Sequence, residues 1–183
     1  AKTSDKTSDG TTISWLSQYG SITFNQYGKE FPTGGMNEKG LVVELMWLDG
    51  TQYPGADERP AVGVLQWIQY QLDNCASVDE LIATDNKLRI ASRGTTPLHY
   101  LVADATGNAA TIEFLDGKMK VHKGSDLPFP VLTNDIYTSS LEQTKTAISS
   151  ADVNSISYSN NSIERFAKTC NMVRQFQQTA ITI

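Results

Sequence analysis

LHYLVADATGNAATIEFLDGKMKVH, residues 98–122, contains three runs of strand-forming residues separated by two turn signals. Ala105-Thr106-Gly107-Asn108 and Asp116-Gly117 supply the glycine and the Asn or Asp that tight reversals require. Between the turns, alternation puts Ala110, Ile112 and Phe114 on one side and Thr111, Glu113 and Leu115 on the other. The turns are too short to hold a crossover helix, so the strands must pair antiparallel. The stretch predicts a meander over 98–104, 109–115 and 118–122, with 87–91 as a fourth strand candidate of the same block.

Upstream of this block, Leu41-Val42-Val43-Glu44-Leu45-Met46-Trp47-Leu48 reads as a strand buried on both faces. Phe31 to Gly40 holds Pro32, Gly34, Gly35 and Gly40 and reads as a shaped loop. Ile13, Trp15, Ile22 and Phe24 flank Tyr19-Gly20 and predict a hairpin there. Pro60 suits the first turn of a helix over 61–74, where Val64, Leu65, Ile68 and Leu72 recur at helical spacing. Ser77 and Glu80 form a capping box for a second, short helix. Downstream, Val131-Leu132-Thr133 reads as a short strand. Residues 136–149 and 161–178 read as helices, the second with Ile163, Phe166, Ala167, Cys170, Val173 and Phe176 as its apolar stripe. Residues 1–12, where Lys-Thr-Ser-Asp occurs twice, read as a polar loop or mobile end. Strands and helices in this order describe a single α+β domain and exclude a doubly wound parallel sheet.

The chain has 183 residues, enough to bury a core without disulfides or metals, and its 39% hydrophobic and 19% charged residues are ordinary for a globular protein. A formal net charge of −5, with no basic run, argues against a nucleic-acid partner. No apolar run reaches the length needed to span a bilayer, so no membrane insertion is expected. Residues 1–12 do not read as a secretory leader, though a removed leader would leave no trace. Cys75 and Cys170 read as buried small hydrophobes, with a single disulfide as the alternative. His99 and His122 lack zinc-ligand spacing, so no metal and no cofactor is expected. No Gly-x-Ser-x-Gly elbow, phosphate-binding loop or dinucleotide fingerprint occurs.

Four positions carry chemistry-bearing side chains in suggestive contexts, and each has two readings. Asn37, in Gly35-Met36-Asn37-Glu38-Lys39-Gly40, is either a donor to a developing oxyanion or a turn residue. Asn134 either contacts substrate or, with Asp135, caps the following helix. Arg165 either positions a carboxylate or is an exposed surface cation. His99 is either a general base or a satisfied core histidine. Trp15, Tyr27, Trp47 and Tyr53 are aromatic candidates for an apolar pocket, with core packing as the alternative.

A set of segments occurs in a telling order. Ser17 to Ile22 is followed by Gly35-Met36-Asn37-Glu38-Lys39-Gly40-Leu41, then by Trp67 to Asn74 running into Ser77-Val78-Asp79-Glu80. Leu98 to Asp104, Ile112-Glu113-Phe114, Leu132-Thr133-Asn134 and Glu164-Arg165-Phe166 complete it. From about residue 13 to 170 the chain thereby resembles the choloylglycine hydrolases, a family that includes bile-salt hydrolases, penicillin V acylases and acyl-homoserine-lactone acylases. The resemblance implies an αββα sandwich of antiparallel sheets flanked by helices, the N-terminal-nucleophile hydrolase fold. It implies hydrolysis of a linear, non-peptide amide by the thiol of an N-terminal cysteine whose own α-amine is the base. It also implies that Asn37 helps form the oxyanion hole, that Asn134 is a second active-site asparagine and that Arg165 organises the polar network around the nucleophile. His99 stays a structural residue of its strand. The implied partner is a small-molecule acyl-amide substrate, the implied assembly a homo-tetramer, and the implied residence periplasmic or secreted, with a cytoplasmic residence in some branches.

The chain departs from the family pattern. It begins with Ala1, and no cysteine precedes Cys75. The family's nucleophile, and the Arg and Asp that follow it, have no counterpart, and the chain stops at Ile183, before family members usually end. Cys75 and Cys170 lie inside the chain, where they carry no free α-amine. The expectation is an incomplete domain, residues 1–183, that lacks its nucleophile and does not hydrolyse amides alone. The competing expectation is a non-catalytic binding or scaffold domain derived from the same fold.

Overall fold

A computed structural model describes residues 1–7, 10–91, 96–150 and 160–180. The meander is present. β8 (Leu98–Ala103), β9 (Ala109–Leu115) and β10 (Lys118–Lys123) pair antiparallel, with Val102 opposite Ala110 and Val121 opposite Ile112. Asp116 and Gly117 take φ of 52° and 71°, so both central residues of this hairpin turn are left-handed, as a two-residue hairpin needs.

The sheet extends from β8 through β5 (Val42–Trp47), β4 (Pro32–Asn37) and β3 (Ser21–Asn25), giving six antiparallel strands in the order β10-β9-β8-β5-β4-β3. Helix α1 (Val64–Asn74) and helix α2 (Val78–Ala83) pack on one face. There Leu41, Val43, Tyr100, Val102, Ile112 and Phe114 meet Trp67, Ile68, Leu72 and Leu81. The Trp67 and Tyr100 rings lie 4.4 Å apart, and the Tyr100 hydroxyl donates to the Val64 carbonyl. Helices α3 (Tyr137–Ser150) and α4 (Ser162–Ala180) close a second, smaller core from Leu127, Val131, Tyr137, Phe166, Ala167 and Cys170. They meet the other sheet face at β9 and β10, where Tyr137 stacks on His122 and bonds Glu113. The α+β reading with antiparallel strands therefore describes the molecule.

Several local expectations are corrected. Phe31 to Gly40 is not a loop throughout: Pro32–Asn37 is β4, inside the sheet between β3 and β5. Its glycines serve close approach, since a Cβ on Gly35 would stand 2.5 Å from the backbone carbonyl oxygen of Ile22 in β3. No hairpin forms about Tyr19-Gly20. β2 (Ser14–Trp15) pairs instead with β1 (Lys2–Thr3), and β3 pairs with β4. β5 is buried on one face only. β7 (Arg89–Ile90) leaves the meander and pairs in parallel with β6 (Ala61–Val62). Residues 131–133 are not a strand; the Thr133 carbonyl is taken by a side chain, His99, rather than by a neighbouring strand.

The amino-terminal segment is tied down. Asp73 is fully buried at the end of α1 and accepts hydrogen bonds from Lys2, the Trp15 indole, Ser17 and Gln69. The Asp5 amide donates to Gln66, and Ser4 and Thr7 are buried. Ser8 and Asp9 of the second Lys-Thr-Ser-Asp lie outside the described residues. Cys75 and Cys170 are both free and buried, not joined. Among the described residues no helix is long and apolar enough to cross a membrane.

Candidate active site

Where β5 ends, the Trp47 carbonyl accepts a hydrogen bond from Asn134 Nδ2 at 3.0 Å. A guanidinium can only donate, so the other end of the Asn134 amide is its oxygen, which accepts from Arg165 Nη2 at 2.6 Å. Arg165 lies in the first turn of α4 and also reaches the Asn160 carbonyl. Ser162, the first residue of α4, holds the segment between sheet and helix. Its hydroxyl accepts from the Asn134 amide N–H at 2.8 Å and donates to the Thr133 hydroxyl at 3.0 Å. The carboxamide of Asn134 is thus held at both ends, and of its two N–H bonds one has no partner among the described residues.

Trp47 also lines a cleft of about 650 Å³ between the β5–β8 end of the sheet and the start of α1. Tyr27, Phe31, Leu45, Val64 and Leu98 make its wall largely apolar, with Asp5, Lys6 and Gln66 among its polar groups. Of the aromatic candidates, Tyr27 and Trp47 line this cleft. Trp15 packs edge-on against Tyr70, and Tyr53 packs against Phe114 in the core, where burial pushes its phenol up to about 12.

The structure brings Asn134 and Arg165 together and leaves Asn37 apart. Five residue steps of β5 separate Val42 from Trp47, roughly 17 Å of strand, and Asn37 lies beyond the Val42 end. Asn37 is buried, and its amide is used up. Nδ2 donates to the carbonyls of Leu72 at 2.9 Å and Cys75 at 2.7 Å, and Oδ1 accepts from the amides of Lys39 and Leu41, both at 3.0 Å. With both N–H bonds committed, Asn37 has none to give an oxyanion. It fastens the β4–β5 turn to the end of α1, and Gly40, with φ of 82°, completes that turn.

His99 is fully buried, and both ring nitrogens are engaged. Nδ1 lies 3.2 Å from Glu113 Oε1, and Nε2 lies 2.7 Å from the Thr133 carbonyl. Neither cysteine is a reactive thiol, because burial pushes both Cys75 and Cys170 up to about 12, where the sulfur stays protonated. Among the described residues no group of three or more His, Cys, Asp or Glu side chains is placed to hold a metal ion. The sequence reading missed Ser162, the Trp47 carbonyl and the Glu113 contact. Only Glu113 left a trace there, as a carboxylate in the middle of an alternating strand.

Known proteins are similar to this chain over most of its length. The model of the linear amide C–N hydrolases, choloylglycine hydrolase family, matches residues 6–174. The penicillin V acylase of Pectobacterium atrosepticum is 31% identical over 138 residues, which are 67% of this chain and 36% of that protein. The structure of penicillin V acylase from Agrobacterium tumefaciens superposes with a TM-score of 0.73 at 31% identity, over 86% of this chain and 49% of that one. A mutant of conjugated bile acid hydrolase from Clostridium perfringens gives a TM-score of 0.72 at 16% identity, over 93% of this chain and 61% of that one, a likeness of fold. The chain spans about a third to a half of the length of the two acylases.

Proposed function

Since this chain belongs to the choloylglycine hydrolase family of linear amide C–N hydrolases, we propose that it forms the acyl-binding side of an amidohydrolase site. In this reading the Asn134–Arg165 pair faces the scissile amide. The substrate is a small acyl-amide whose apolar acyl group enters the cleft beside Trp47; a bile-salt conjugate, penicillin V or an N-acyl homoserine lactone meets that description. The remaining N–H of Asn134 donates to the amide oxygen and strengthens as that oxygen gains charge. Arg165 fixes which way the carboxamide points. Hydrolysis begins when a thiolate attacks the carbonyl carbon. The C–N bond breaks, the amine leaves with a proton, and water then releases the acid from the thioester. The thiol belongs to an N-terminal cysteine, a role that neither Cys75 nor Cys170 fills.

The observation that supports this reading is one carboxamide, aligned by a guanidinium and with a donor to spare, bonded to the backbone of Trp47, a residue that lines an apolar cleft. The test is hydrolysis of penicillin V and a glycine-conjugated bile salt. The 183 residues alone should show no turnover, and the chain joined to the N-terminal cysteine segment of a relative should show it. In the joined form Asn134→Ala should lower kcat about 10²–10³-fold. Turnover by the purified 183 residues of verified mass would refute the nucleophile assignment, and an unchanged rate in Asn134→Ala would refute the role of Asn134. Tight substrate binding with no hydrolysis in either form would favour the scaffold reading.

A further inference from the structure

We propose that His99 and Glu113 are positioning residues for Asn134, a buried pair that holds the backbone from which the Asn134 side chain projects. The proposal rests on the reading that Asn134 faces the substrate, and its geometry is independent of any assay.

Both side chains are completely buried, on the sheet face that carries α3 and α4. Their bonds fix the position of one proton. The Thr133 carbonyl only accepts, so His99 Nε2, at 2.7 Å, must carry hydrogen. His99 Nδ1 and Glu113 Oε1 then lie 3.2 Å apart with one proton between them, because two bare lone pairs would otherwise face each other in a buried site. The same Oε1 accepts from the Tyr137 amide at 2.8 Å, at the first residue of α3. One carboxylate therefore holds both ends of residues 133–137: Tyr137 directly, and Thr133 through the imidazole. Asn134 lies inside that span, and Ser162 holds its backbone from the α4 side.

A pair that served packing alone could be replaced by apolar side chains at no loss of stability. A pair that aims Asn134 must keep one specific donor, the N–H on the Thr133 carbonyl. Two substitutions separate these cases. His99→Gln places an amide N–H near the position of ring Nε2 and gives up the Glu113 contact. His99→Asn places its amide near the position of Nδ1 and gives up Thr133.

The side-chain amide resonances of Asn134 and the guanidinium resonances of Arg165 are read by nuclear magnetic resonance in the full chain and in both variants. His99→Asn should shift both sets, and His99→Gln should return them toward the parent positions even if its melting temperature falls. Asn134 resonances that are unmoved in His99→Asn, or moved equally in both variants, would overturn the proposal. Should His99→Asn fail to fold, His99→Gln decides: coincidence with the parent spectrum supports positioning, and displacement overturns it. In the joined form that carries the N-terminal cysteine and hydrolyses amides, His99→Asn should lower kcat at least about tenfold with KM little changed. If no form hydrolyses any amide, the amidase reading fails while the spectra still decide the positioning.

Discussion

Among the described residues the carboxamide of Asn37 has four hydrogen-bonding partners and that of Asn134 has two, so only Asn134 keeps an N–H for a further acceptor. Removing the Asn37 amide strands the carbonyls of Leu72 and Cys75 and the amides of Lys39 and Leu41 in or near the core. Asn37→Ala should therefore cost at least about 3 kcal/mol of stability, since three of the four bonds are buried and each buried group left unpaired costs about 1–3. Asn134 is exposed, so Asn134→Ala should cost less than about 1 kcal/mol. Urea unfolding of the two variants reads both values, and equal losses would contradict the division of labour. From the sequence both asparagines stand out as amides beside turns, and the family resemblance gives both a place in the site. What a sequence does not carry is which amide has a hydrogen left over. The acceptors that occupy Asn37 come from residues 35 and 38 positions away, delivered by the end of α1.

Six residues of helix do not hold themselves together in water, so α2 depends on its surroundings. Part of the support is local and legible: the Ser77 hydroxyl accepts from the Glu80 amide, as the Ser77–Glu80 spacing predicts. Part comes from the turn after β8, where Asp104 accepts from the amide of Val78, the first residue of α2, and from Thr106 and Asn108. The Thr106 hydroxyl is the main reason that the Asp104 carboxyl sits well below the usual carboxylate range; the Val78 and Thr106 amides add to it. A carboxyl depressed on folding stabilises the fold above its unfolded-chain value, about 4, and that stabilisation is lost as pH falls through the folded value. Asp104→Ala should be less stable than the parent at pH 7, and the gap should narrow as pH drops below about 4. Urea midpoints at several pH values measure this, and a gap that stays constant would refute the linkage. The misread elements share a cause. Gly34 and Gly35 punctuate a sequence locally, yet here they let β4 lie close to Glu44 and to β3, contacts that only the assembled sheet creates.

Across the whole molecule one sheet face meets two different surroundings. Under α3 and α4 it buries His99, Thr111 and Glu113, the polar side of the alternation legible in residues 98–122. Along β3, β4 and β5 the same face presents Ile22, Phe24, Met36 and Met46, with Ile22 74% and Phe24 68% exposed among the described residues. This division was not legible beforehand. Turn signals report strands that neighbour in sequence, whereas the β5–β8 junction joins segments about 50 residues apart through nothing local. The apolar character of the bare half sets its behaviour in solution. A contiguous apolar surface on a sheet favours association with apolar molecules and with further copies of itself, and Glu44, whose carboxyl is raised by partial burial, weakens as a charged deterrent when it protonates. Replacing Ile22 and Phe24 together by Thr keeps the β-branching or β-propensity that strand β3 needs while removing two of the largest exposed groups. The double variant should bind an environment-sensitive apolar dye less than the parent and should elute at a smaller size at high protein concentration, with far-ultraviolet circular dichroism unchanged. Equal dye binding and equal elution would mean that this face is not what exposes apolar surface to solvent.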